Sequence, residues 1–345
     1  MHHYDHEKER EATAQAAARA AALTAQALPP AGGAAARTIG DAAEASTPAS
    51  RAEHAALVER ERTKSTHLGL LSNGQPVPFL GPLRSVKAAG IEWGYHTFGP
   101  LVSAAGAAPP LLLLPGTASS MYTWPPELLT SLAANRSVTI VDLPGVSATQ
   151  APGFNYSSLD DLAKVTLAFV KAAPGLKQPD VIAWSLGGSL LLRMAELAPG
   201  GLGRLVLVAP FAGGPDRVDP VHDVVAAFAS ELARGCDSPL RYWAQTVAQF
   251  SLDTTRQQAL MMVRFIQTPL VSAKLHLITN PVLIVHGKLD KTIPVGNARA
   301  LAAALTASPQ VVLRIVAGAA HAVAHQLPGW FAAEVLAFLS GPPRG

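Results

Sequence analysis

Val181-Ile182-Ala183-Trp184-Ser185-Leu186-Gly187-Gly188 is the stretch that decides the reading. An apolar run closes on a serine, with a small residue two positions away on each side. Residues 180–183 read as a buried parallel strand and 189–197 as the helix that follows. The turn between them is too short for an ordinary loop. Ser185 is therefore expected at the top of a sheet, on strained backbone that tolerates only small neighbours such as Ala183 and Gly187. Taken alone the string is weak, because a chain rich in Ala, Gly and Ser produces it by chance. A serine that merely caps a helix after a strand would read the same way.

The rest of the chain has to decide, and its size permits a large core. It has 345 residues, 49% hydrophobic and 15% charged, enough for one big domain or one domain with an insertion. The net charge of +3 is small and no basic cluster interleaves with aromatics, which argues against a nucleic-acid partner. The single Cys236 excludes internal disulfides and thiolate metal clusters, and no strand precedes it to present it as a nucleophile. No apolar run reaches the roughly 18 residues of a membrane span, so a soluble, cytoplasmic protein with no integral membrane segment is expected. The 11 histidines are scattered, apart from His2, His3 and His6 beside Asp5 near the start. Neither a metal nor another cofactor is expected.

Residues 1–75 form an Ala-rich extension broken by Pro29-Pro30 and Gly32-Gly33, with too few large apolar residues to offset the entropy of ordering. It reads as disordered or loosely helical. Its four acidic residues within the first 11 argue against a targeting peptide. A folded domain over 76–345 opens with a hairpin, Arg84–Ala88 and Ile91–Phe98 around Ala89-Gly90. A strand–helix alternation then takes over. Strands are expected at Leu111–Leu114, 138–143, 180–183 and Leu205–Val208, and helices at 125–134, from Ser158 to about Ala173, and at 189–197. Ser158 with Asp161 three residues on has the form of a capping box. Between about 211 and 278 the pattern turns helical, with Trp243, Phe250, Met261, Met262 and Phe265, and it lacks a strand. That segment is expected to cap the carboxyl edge of the sheet and to give a minority of its apolar residues to a pocket. The alternation resumes with a strand at 282–285, a helix at 297–305, the strand Val311–Val316 and a closing helix at 330–339. Continuous apolar strands alternating with helices imply a mostly parallel, doubly wound α/β sheet covered on both faces.

Ligands of such sheets bind at the carboxyl ends of the strands. Those ends carry Thr117, Asp142, Ser185, the stretch from His286 to Asp290, and His321. Ser185, Asp290 and His321 thus appear in that chain order, each just after a strand. A serine hydroxyl needs a base to take its proton, an imidazole titrates near neutrality, and a carboxylate can fix the imidazole tautomer. The oxyanion formed on attack needs preorganised donors, for which the backbone N–H groups of Leu186 and Thr117 are placed. Each choice has a rival. Asp216, in the loop after the preceding strand, could replace Asp290, and His325 could replace His321 if that loop is helical. Asp142 reads as a turn residue, and His286 and His96 as packing or supporting residues.

With these motifs in place, residues from about 84 to 340 resemble the α/β-hydrolase superfamily, in its capped, esterase-like serine-hydrolase branch. Leu114-Pro115-Gly116-Thr117 is similar to the oxyanion loop, Val141-Asp142-Leu143-Pro144-Gly145 to the loop after the fourth strand, and Ala183-Trp184-Ser185-Leu186-Gly187 to the nucleophile elbow. His286-Gly287-Lys288-Leu289-Asp290 is similar to the acid loop and Ala317-Gly318-Ala319-Ala320-His321 to the histidine loop. Pro115, Ala183 and Ala320 depart from the usual His, Gly and Gly. The resemblance implies a serine hydrolase that cleaves an acyl compound, above all a carboxylic ester, through an acyl-enzyme, and the expected cap suggests a small to medium, partly apolar substrate. A ligand-binding protein or receptor on the same fold is the rival from another class. Acyl transfer, C–C hydrolysis and cofactor-free perhydrolysis use the same three residues.

Overall fold

The computed structural model describes residues 80–100, 108–219 and 252–341. The N-terminal extension, Cys236, Trp243, Phe250 and the middle of the expected cap lie outside the described residues. Eight strands form one sheet: β1 (Arg84–Ala88), β2 (Ile91–Phe98), β3 (Leu111–Leu114), β4 (Val138–Val141), β5 (Asp180–Trp184), β6 (Leu205–Val208), β7 (Val282–Gly287) and β8 (Val311–Val316). Their order is β1-β2-β4-β3-β5-β6-β7-β8. β2 pairs antiparallel with β1 and with β4, and every pairing from β4 to β8 is parallel. The described helices are α1 (Pro126–Leu132), α2 (Leu159–Ala172), α3 (Leu186–Leu197), α4 (Leu252–Ile266), α5 (Gly296–Ala304), α6 (Val323–Gln326) and α7 (Pro328–Leu339).

Why the central strands read as unbroken apolar runs is visible in their packing. Alternate residues of one strand serve two cores. Leu112, Leu114, Val181, Ala183, Leu205, Leu207 and Ile284 join the cluster under α2, α3 and α5. Leu111, Leu113, Ile182, Trp184, Val206, Val208 and Val285 join the cluster under α1, α6 and α7. A strand with both faces buried has no polar side to alternate with. Truncating any of these fully buried leucines to alanine would cost about 2–5 kcal/mol.

Element ends differ from the sequence-based expectation where long-range contacts set them. α3 begins at Leu186, not at 189, because the Ser185 carbonyl already accepts the Gly188 and Ser189 N–H groups at 2.8 and 3.2 Å. At α2 only half of the expected capping box forms. Ser158 Oγ accepts the Asp161 N–H, but the Asp161 carboxylate takes the hydroxyls of Ser157 and Ser158 in place of the Ser158 N–H. β7 runs two residues further than expected, to Gly287, since the whole of β8 pairs with it. Of the expected cap, the described part holds α4 and a 3-10 helix, Ser272–Leu277. Met261 and Phe265 of α4 are buried in the α2–α3 core. Among the described residues no helix is long and apolar enough to cross a membrane.

Candidate active site

Ser185 stands between β5 and α3 with φ +55° and ψ −117°. A non-glycine residue there carries strain of about 1–3 kcal/mol, held in place by its surroundings. The space around it explains the small neighbours. A Cβ at Gly187 would lie 2.7 Å from the carbonyl oxygens of both Leu114 and Pro115, and one at Gly116 only 3.2 Å from the Ser185 Cβ. Glycine at 116 lets the loop after β3 lie flush against the nucleophile, and the Gly116–Thr117 peptide follows it. The Leu186 N–H opens α3, among the donors a helix leaves without a partner of its own.

The serine is not a helix cap, since its side chain makes no bond to the α3 backbone. Instead Ser185 Oγ lies 3.0 Å from His321 Nε2. His321 Nδ1 lies 2.8 Å from Asp290 Oδ2. The structure thus brings Ser185, His321 and Asp290 into one hydrogen-bonded chain. Asp290 Oδ1 is occupied separately, accepting the Thr292 and Ile293 N–H groups at 2.9 and 2.8 Å. Burial alone would push the Asp290 carboxyl up. The positive field of His321 and hydrogen bonds from His286 and His321 outweigh it, holding the carboxyl well below the usual range.

The rivals stand elsewhere. Asp216 is exposed in the turn after β6. His325 is on α6, its Nε2 donating to the Thr123 carbonyl at 3.0 Å and its ring packed on Trp184 and Trp124. Burial pushes the His325 imidazole down to about 4, with the Thr123 carbonyl opposing and His321 adding to the fall. It is neutral at neutral pH, with its bonded nitrogen committed. His286 is fully buried, and its Nε2 donates to the Ile293 carbonyl at 2.7 Å while lying 3.1 Å from Asp290 Oδ2. It braces the acid loop. His96 bonds to the Tyr122 hydroxyl at 3.0 Å, consistent with a packing role.

Three supports were not legible from the motifs. The Trp184 indole, next to the nucleophile, donates to the His321 carbonyl at 3.0 Å and so ties the histidine loop to the elbow. Asp142, expected as a turn residue, does more. Its Oδ1 accepts the Met121 N–H at 2.7 Å and its Oδ2 the Ala148 N–H at 3.1 Å, which joins the loop after β3 to the loop after β4. The third is Gln258, fully buried on α4. Its Oε1 accepts the Ala118 N–H at 2.9 Å and its Nε2 donates to the Tyr156 hydroxyl at 3.0 Å, which in turn donates to the Pro144 carbonyl at 2.7 Å. A polar residue sharing a helix face with Met261, Met262 and Phe265 was the available signal.

Burial pushes the Asp142 carboxyl up to about 7, against the opposing bonds from Met121, Ala148 and Ser147. Its folded pKa lies above its unfolded one, so the folded state binds the extra proton between the two values. The contribution of Asp142 to stability is therefore greatest in acid and is lost as pH rises through about 7. The urea-midpoint difference, wild type minus Asp142→Asn, is expected to fall as pH rises from about 5 to 8. A flat difference would remove the upward shift assigned here, and a growing one would reverse its sign.

Comparison with known proteins follows the same lines. A model of the alpha/beta hydrolase family matches residues 111–334. A pimeloyl-[acyl-carrier protein] methyl ester esterase of Nitrosomonas europaea is 28% identical over 218 residues, 57% of this chain and 83% of that protein. One of the same name from Pectobacterium carotovorum is 26% identical, over 66% of this chain and 93% of that protein. Among solved structures, an esterase of Rhodococcus sp. superposes with a TM-score of 0.61 at 22% identity, covering 75% of this chain and 98% of that one. A hydrolase of Pseudomonas aeruginosa gives 0.60 at 22%, over 76% and 99%. The structural likenesses speak to the fold, the family model to descent. The doubly wound sheet, the strained serine at its carboxyl edge and the matched length together mean that this chain belongs to the α/β hydrolase family.

Proposed function

We infer that the protein is a serine hydrolase that cleaves a carboxylic ester through an acyl-enzyme. The observation that carries this reading is the unbroken hydrogen-bonded chain from Ser185 Oγ through His321 to Asp290 Oδ2. In the first half-reaction His321 Nε2 takes the Ser185 proton as Oγ attacks the ester carbon. The carbonyl oxygen becomes an oxyanion, received by the N–H groups of Leu186 and Thr117, each worth about 3–4 kcal/mol of transition-state stabilisation. Collapse expels the alcohol, which takes the proton back from His321, and leaves the acyl group on Oγ. In the second half His321 activates water, the carboxylic acid departs and Ser185 regains its proton. Asp290 holds the Nδ1–H throughout, so the lone pair stays on Nε2.

The related esterases act on the methyl ester of a carrier-linked pimeloyl group. A simple alkyl ester of a longer acyl chain is the substrate class we infer for this chain. In this reading the described parts of the segment 211–278 belong to a cap, the rest of which lies outside the described residues.

A fluorophosphonate probe tests the reaction directly. Wild-type protein is expected to take up one phosphonyl group per chain, mapped by mass to the peptide carrying Ser185, and to hydrolyse nitrophenyl esters of rising chain length. A folded protein that binds such esters without labelling or turnover would be the ligand-binding rival instead.

A further inference from the structure

On this hydrolase reading, we propose that Gln258 of α4 is a positioning residue that sets the oxyanion loop, aiming the Thr117 N–H through the peptide next to it. That next peptide, Thr117–Ala118, is pinned at both ends. Its carbonyl accepts from Ser119 Oγ at 3.2 Å, and its N–H donates to Gln258 Oε1 at 2.9 Å. The two bonds fix the torsions on either side, including the Ala118 φ of +50°, a conformation that alanine does not adopt for its own sake. Thr117 N–H lies on the adjoining peptide, so its aim depends on the same torsions.

The orientation of the Gln258 amide is forced. The Pro144 carbonyl can only accept, so the Tyr156 O–H must point at it. The Tyr156 oxygen then accepts from Gln258 Nε2, which leaves Oε1 for the Ala118 N–H. Along this chain from Pro144 to Ala118 every donor meets an acceptor, so the direction of each bond fixes the next. The chain also fastens the helix to the β3 loop independently of Asp142, which holds the same loop three residues further on through Met121. A segment 140 residues away in sequence thereby governs a backbone donor of the reaction.

Gln258→Met keeps the length of the side chain and removes both bonds. Its kcat for a nitrophenyl ester, per active site titrated with fluorophosphonate, is expected to fall about 10- to 100-fold with KM nearly unchanged, since a displaced donor costs less than a lost one. Affinity for a trifluoromethyl ketone, whose hemiketal presents an oxyanion at Ser185, should fall by the same factor. Gln258→Glu gives a signature that loose packing would not. Its ionised carboxylate cannot donate to Tyr156, but the protonated acid can, so its activity relative to wild type should rise as pH falls. Tyr156→Phe keeps the ring, strands the Gln258 Nε2 and should lower kcat in the same direction by a smaller factor, which covers the case of an unfolded Gln258→Met.

Variants that lose only thermal stability, with kcat per titrated site and ketone affinity at wild-type values, would overturn the proposal and leave the hydrolase reading intact. A wild type that neither turns over esters nor labels at Ser185 would overturn both.

Discussion

Replacing either Ser185 or His321 by alanine is expected to lower kcat for ester hydrolysis by about a million-fold, and replacing both by no more than either alone. The hydroxyl and the imidazole act as one device. Without the base, Oγ keeps its proton and attacks no faster than a free alcohol. Without Oγ, the base has nothing to activate in the acylation step. The 3.0 Å separation of Ser185 Oγ from His321 Nε2 is already within proton-transfer reach. What survives in the variants is the stabilisation offered by the backbone donors and by substrate binding, which needs neither side chain. KM should change little, and folding should be nearly undisturbed for Ser185→Ala, which keeps the Cβ and removes only the hydroxyl with its one bond to His321. The companion variant His325→Ala separates the two histidines on this strand end. It deletes a ring packed on two tryptophans, so it is expected to lower the unfolding midpoint while kcat per titrated site stays near wild type. Normal turnover in His321→Ala with collapse in His325→Ala would hand the base role to residue 325.

Much of the frame was legible because it is written in local pattern. Leu111–Leu114 and Leu205–Val208 run to the residues expected, since a strand buried on both faces announces itself as a short apolar run, and the half-buried edge strand Val311–Val316 does so through its β-branched residues. Ser185, Asp290 and His321 were singled out as reactive groups just past a strand, in an order and with motifs that suit them, and their side chains lie within hydrogen-bond distance, each of the next in the chain from Ser185 through His321 to Asp290. What escaped the sequence is what depends on distant partners. Nothing local says that Gln258 faces Tyr156, 102 residues away, or that the Trp184 indole reaches the carbonyl of residue 321. Asp142 looked like a turn residue because its two N–H partners lie on two different loops. The start of α3 was read three residues late for a related reason. Gly187 and Gly188 disfavour a helix by propensity, but the Leu114 and Pro115 carbonyls leave no room for a Cβ at 187, and Pro210 leaves little at 188.

Asp290→Asn should lower kcat by about ten-thousand-fold while leaving the fold and KM nearly as they are. The reason lies in which oxygen is already spoken for. Oδ1 accepts two backbone N–H groups, from Thr292 and Ile293. An asparagine must keep its only oxygen there, so its NH2 group takes the place of Oδ2. That group then faces two nitrogens, His286 Nε2, whose proton is donated to the Ile293 carbonyl, and His321 Nδ1. Two donors cannot share a hydrogen bond, so the site settles with His321 Nδ1 as acceptor and its proton on Nε2. That is the atom that must be free to deprotonate Ser185. The imidazole is then present, at the right distance and in the wrong tautomer, and the imidazolium formed on attack has lost its counter-charge. Nitrogen-15 shifts of His321 would report the exchange of the proton between the two ring nitrogens, and kcat would report its cost. Should Asp290→Asn turn over esters like the wild type while Asp216→Asn does not, the acid would belong to the loop after β6 and a rearranged His321 would have to reach it.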